Sequence, residues 1–134
     1  MALLDLSPTL LAQAGAHPPL GTVALDSAAM DVEQVMQARH LPLYDRAFGS
    51  DRSDWIAASP YHQMGTAAPP LLAVCSSRRA DACAQARHLA DKASARRIRV
   101  EVLPQDRSHA EINHDLGLPS AYTDAVDAFL RSLR

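Results

Sequence analysis

Three short apolar runs, separated by stretches of helical periodicity, organise the chain. Leu20-Gly21-Thr22-Val23-Ala24-Leu25 and Leu71-Leu72-Ala73-Val74-Cys75 are nearly unbroken in apolar residues, the pattern of strands buried on both faces. Asp26-Ser27 closes the first run, and the breaker Ala67-Ala68-Pro69-Pro70 precedes the second. Arg97-Ile98-Arg99-Val100-Glu101-Val102-Leu103 instead alternates charge with apolar residues at period two. That alternation predicts an edge strand with one dry side and one wet side.

Helical patterns fill the intervals. Ser7-Pro8 opens a short helix that runs to Ala14, with a serine cap, a proline in the first turn and Gly15 as the stop. Residues 31–39, 43–48 and 52–57, the last behind an Asp51 cap, read as short helical pieces. Residues 80–94 place Ala86, Leu89, Ala90 and Ala93 on one face, and a helix from about 120 to 133 carries the stripe Ala121, Ala125, Val126, Phe129, Leu130 and Leu133. Strands alternating with helices imply crossover units. The expected fold class is therefore α/β, three-layer, with a short, mostly parallel sheet of about three strands flanked by helices. We expect one α/β domain over residues 1–134, with 27–66 as a variable, helical, insertion-like region.

Composition narrows the class of partner. Of 134 residues, 48% are hydrophobic and 21% charged, a globular balance. Thirteen Lys and Arg against fifteen Asp and Glu leave a formal charge of -2, so no field gathers nucleic acid or anionic lipid. No apolar run reaches the roughly 18 residues that span a bilayer, and residues 1–15 have no basic segment ahead of their leucines. These features lead us to expect no nucleic-acid or membrane partner, and a cytoplasmic location. Cys75 and Cys83 are too few for a disulfide framework or a four-cysteine zinc site, and read as free thiols.

Ligands of open parallel sheets bind in the loops at the carboxyl ends of the strands. The loop after Cys75 reads Ser76-Ser77-Arg78-Arg79-Ala80-Asp81, and the loop after Leu103 reads Pro104-Gln105-Asp106-Arg107-Ser108-His109. Neighbouring strands lie about 4.8 Å apart, so these loops can bring Asp81 and His109 together. A carboxylate facing an imidazole is the orienting half of a nucleophilic triad: it fixes the tautomer while the other ring nitrogen accepts a proton. Asp81 also stands where a helix cap would, and His109 where a loop residue would lead into the next segment, so both readings stay open.

Residues 68–133, with PPLLAVCSS, DACAQARHLADKA, RIRVEVL, SHAEINHDLG and YTDAVDAFLRSL, resemble the C-terminal part of an α/β-hydrolase of the esterase/lipase type. GTVALDSAAMD is similar to the strand and turn after the nucleophile helix of that family, and LYDRAFGSDRSDWIAASPYHQM to its variable region. The resemblance implies a carboxylic-ester hydrolase fold with His109 as the catalytic histidine and Asp81 as the acid, acting on a small-molecule ester or amide. The family's G-x-S-x-G elbow is missing, because no serine here has glycine two residues before and after it. MALLDL is similar to the tail of the helix that follows the elbow, so the chain is expected to be inactive alone. The competing expectation is a noncatalytic α/β interaction or oligomerisation module.

Other constellations are weaker. His109-x-Glu111-x-x-His114 misses the four-residue offset of a helical zinc pair, and His17, His40, His62 and His88 show no ligand spacing, so neither metal nor cofactor is expected. Ser27 lacks the flanking glycines of a nucleophile turn. Arg78-Arg79 is an anion site or a solvated pair. Tyr44, Phe48, Trp55 and Tyr61 line a pocket or pack among themselves. An uncovered apolar edge at residues 20–25 leads us to expect a homodimer.

Overall fold

The computed structural model describes residues 2–134. In chain order the elements are α1 (Ala2–Leu6), α2 (Pro8–Gln13), β1 (Thr22–Leu25), α3 (Val32–Gln37), α4 (Pro42–Phe48), α5 (Arg52–Ala58), α6 (Pro60–Gln63), β2 (Leu71–Ser76), α7 (Ala80–Ala95), β3 (Val100–Gln105), α8 (His109–His114) and α9 (Ala121–Arg131). The three strands form one parallel sheet in the order β1-β2-β3. The α/β class and the short parallel sheet are as the periodicity indicates.

β2 is the centre, and all six of its residues are buried. Because successive side chains point to opposite faces, Leu71, Ala73 and Cys75 pack on one side with Ala82, Ala86, Leu89 and Ala93 of α7. Leu72 and Val74 pack on the other with Ile112 of α8 and Tyr122, Val126 and Phe129 of α9. Helices thus cover both faces. The two outer strands are only partly buried, and in β3 the exposed Glu101 stands between Val100 and Val102, which join the α7 side.

Boundaries shift for local reasons. Arg97 adopts a left-handed φ of 58°, and the amides of Arg97 and Ile98 bond back to Ser94 O and Ala93 O, a Schellman closure of α7. Arg97 and Ile98 therefore close the helix, Arg99 O already accepts from Leu71 N at 2.9 Å, and β3 starts at Val100. It continues through Pro104, which an edge strand tolerates because a proline needs no ladder bond on its open side. In α9 the buried stripe is Tyr122, Val126 and Phe129, while the expected Leu130 is 45% exposed.

The free-thiol reading is corrected. Cys75 at the end of β2 and Cys83 in the first turns of α7 form a disulfide, their Cα atoms 5.1 Å apart, because the turn between them folds the helix start back onto the strand end. Residues 27–66 contain the four short helices α3 to α6. Ser59, fully buried, pins this region by accepting from Val32 N and donating to Met30 O, each at 3.2 Å.

Candidate functional site

The carboxyl ends of β1, β2 and β3 lie side by side, and their turns are stitched together. Ser76 Oγ donates to Arg107 O at 2.6 Å, and the exposed Arg78 spans from Asp106 Oδ1 (2.8 Å) to Glu111 Oε2 (3.0 Å). Glu111 also closes a capping box with Ser108, which starts α8 so that His109 is its first residue. The turn after β3 is thereby held against the turn after β2.

At the centre stands Asp26, directly after β1. Its N–H donates to Val74 O at 2.8 Å and extends the ladder by one residue, but its φ of 55° then swings the chain away. This left-handed conformation is uncommon outside glycine, and aspartate is among the few side chains enriched there. The carboxylate is wholly shielded from solvent. Oδ1 accepts from Ser76 N at 2.7 Å, while Oδ2 accepts from Arg79 Nη1 at 2.8 Å and from His109 Nδ1 at 2.9 Å. Burial alone would raise its pKa. The three donors and the Arg79 charge outweigh burial and hold the carboxyl below its ordinary range.

His109 is oriented from the Nδ1 side only. Its side chain is 60% exposed, and Nε2 has no hydrogen-bond partner among the described residues. A carboxylate on Nδ1 selects the tautomer whose Nε2 lone pair faces outward, the form that accepts a proton from a nucleophile or a water. The geometry is that of an acid–base dyad.

The expected pairing of Asp81 with His109 is therefore corrected: the acid on His109 is Asp26. Asp81 is not the helix cap of its alternative reading either: the N-cap position of α7 is Arg79, and Asp81 lies inside the first turn, accepting from Ala82 N at 2.8 Å and from Arg79 Nη2 at 3.2 Å. The reason is the strand order. β2 lies between β1 and β3, and Ser76 and Arg79 of its turn aim their donors at the carboxylate on the β1 side. Asp26 is not among the site residues expected from the sequence; the signal that could have pointed to it is its place as the polar residue closing a buried strand at the carboxyl edge, where such sheets bind ligands.

The remaining candidates separate cleanly. Neither Arg78 nor Arg79 is an open anion site: Arg78 is solvent-exposed and paired with Asp106 and Glu111, and Arg79 is partly buried between Asp26 and Asp81. Ser27 makes no hydrogen bond to His109, and no group of His, Cys, Asp and Glu that could hold a metal ion occurs among the described residues. A second titratable cluster braces the helical region: Asp31 receives His88 at 3.1 Å and lies 3.3 Å from His62 Nε2, and Tyr61 stacks on His88 at 4.2 Å. Trp55 donates to Gly49 O at 3.0 Å, and Tyr44 packs on Phe48 at 6.0 Å between centroids, so these aromatics sit largely within their own region.

Compared with protein-family models, curated proteins and solved structures, the chain matches none of them.

Proposed function

We propose that this chain carries the acid–base half of a serine-hydrolase-type site of the esterase/lipase kind, with His109 as general base and Asp26 as the residue that orients it. The observation that carries the reading is the 2.9 Å bond from His109 Nδ1 to a buried carboxylate at the carboxyl edge of a parallel sheet. The sequence contains no G-x-S-x-G, so within these 134 residues the dyad lacks a preorganised nucleophile. Its substrate class is a small ester or amide, turned over only where a nucleophilic serine and oxyanion donors are supplied from outside these residues.

A serine-directed fluorophosphonate tests this. The chain alone is expected to give no covalent adduct and no ester turnover above a denatured control, since loss of even one oxyanion donor costs about a hundredfold. A form extended by a segment bearing G-x-S-x-G is expected to label on that serine, dependent on His109 and Asp26 but not on Asp81. Labelling of the chain alone, or labelling that survives His109→Ala, overturns the proposal.

A second reading, a noncatalytic module that associates through its sheet, is favoured by the open side of β1. Thr22 donates to Pro70 O just ahead of β2 and Asp26 to Val74 O within it, so the alternating Val23 and Leu25 turn their backbone groups outward. Sedimentation reads it: a concentration-dependent homodimer supports it, and a monomer at micromolar concentration rejects it. No helix among the described residues is long and apolar enough to cross a membrane. The Cys75–Cys83 bridge favours an oxidising compartment over the cytoplasm expected from the sequence.

A further inference from the structure

A half-open cavity of about 420 Å³, lined by neither Asp26 nor His109, lies between the turn that joins α3 to α4 and the first turns of α7. That volume is in the range of small-molecule sites. Its walls are apolar over Ala28, Val35, Ala38, Leu41, Tyr44 and Ala84. Leu41 is 64% exposed and the nearby Leu43 is 63% exposed, so the rim offers uncovered apolar surface to whatever enters.

The polar groups are unequal in a way that selects a ligand. On the acceptor side, Asp81 is engaged by Arg79 at 3.2 Å and by Ala82 N at 2.8 Å. Gln85 Oε1 is engaged by Asp31 N at 2.7 Å, and Gln34 Oε1 by Gln85 Nε2 at 2.6 Å. His40 is held between Ala38 O at 2.8 Å and Asp45 at 2.9 Å. On the donor side, the Arg39 guanidinium and the Gln34 side-chain NH2 have no hydrogen-bond partner among the described residues. The cavity thus offers two donors without a partner among the described residues, one of them cationic, beside acceptors that each already take a hydrogen bond.

We propose that this cavity binds an apolar small molecule bearing a carboxylate, with the carboxylate on Arg39 and the Gln34 amide and the apolar body against Val35, Leu41 and Tyr44. A guanidinium matches a carboxylate with two parallel donors, and such charge-assisted bonds are about twice as strong as neutral ones. Asp81 shares Arg79 with Asp26, so its charge on the wall is offset only in part; it is 56% exposed and screened by solvent, and Arg39 supplies the charge that meets the anion. The proposal does not depend on the Asp26–His109 reading.

The test is an amide-resolved NMR titration of the full chain with benzoate and hexanoate, with methyl benzoate and benzylamine as the neutral and cationic counterparts. Saturable shifts are expected at Gln34, Arg39 and Ala84 with the acids. Binding should be about tenfold weaker with the ester, absent with the amine, and about tenfold weaker for benzoate in Arg39→Gln, an exposed position that leaves the fold intact. His109→Gln should leave benzoate binding unchanged, which separates this proposal from the hydrolase reading. Equal affinity for acid and ester, unchanged affinity in Arg39→Gln, lost affinity in His109→Gln, or no shift with either acid up to about 10 mM overturns it.

Discussion

Asp26, at the end of β1, and Asp81, in the first turn of α7, hold the same guanidinium, yet one is sealed from water while the other is 56% exposed. Around Asp26 three donors from two other turns converge on one carboxylate, and the backbone accepts a left-handed residue to place it there. Around Asp81 the contacts come from its own neighbours along the chain. The difference separates two uses of the same chemistry. Donors drawn from two neighbouring strand ends onto a third make a site, whereas a carboxylate served by its own turn makes a helix start. Strain of about 1 to 3 kcal/mol at Asp26 persists because the surrounding bonds over-determine it.

The largest way to break this contrast is to delete the buried partner. Asp26→Ala leaves Arg79 and the Ser76 amide without their acceptor and should cost about 3 to 5 kcal/mol in urea unfolding. A loss no greater than that of a surface variant would remove Asp26 from the centre of the network.

Next comes the covalent tie that holds the turn between the two carboxylates. The bridge closes a short loop with a sequence separation of 8. Its removal in a Cys75→Ala/Cys83→Ala double variant should cost about 2 to 3 kcal/mol. A melting temperature unchanged by the double substitution would count against the bridge as a stabilising element.

Acid sharpens the comparison further. Because the Asp26 pKa is lowered on folding, its contribution is complete above the unfolded value, about 3.9, and is lost as pH falls through the lower folded value. Stability of the wild type should therefore drop on acidification below about pH 4 more steeply than that of Asp26→Asn. Parallel curves for the two proteins would show that the carboxylate gains nothing on folding.

The smallest effect belongs to Asp81. Its exposed ion pair and its place at a helix start should make Asp81→Asn worth less than about 1 kcal/mol. A cost approaching that of Asp26→Ala would erase the distinction.

Much of the scaffold was legible because burial leaves its pattern in the sequence. The continuous run Leu71–Cys75 marks the central strand, the alternation at Val100, Glu101 and Val102 marks an edge, and Ala86, Leu89 and Ala93 mark the inner face of α7. His109 was legible from its place after the third strand. Its partner was not, because sequence proximity of two loops says nothing about strand order or about where Ser76 and Arg79 aim their donors. The disulfide was hidden for a related reason: composition counts cysteines but does not show that a turn brings the ends of β2 and α7 within 5.1 Å. Tyr122 illustrates a third kind of loss. Its place in the core, with its hydroxyl donating to Ile112 O at 3.0 Å, depends on a small rotation of α9 that an apolar stripe does not fix.

The central claim is that Asp26, and not Asp81, sets the proton on His109, and the ring nitrogens of His109 report it directly through long-range 1H–15N correlation near neutral pH. In the wild type and in Asp81→Asn the neutral ring should carry its proton on Nδ1, with Nε2 bare. In Asp26→Asn, Oδ1 stays on the Ser76 amide and the new NH2 faces Nδ1, so the proton should move to Nε2. A wild-type ring protonated on Nε2, or a tautomer that responds to Asp81→Asn and ignores Asp26→Asn, would contradict the account.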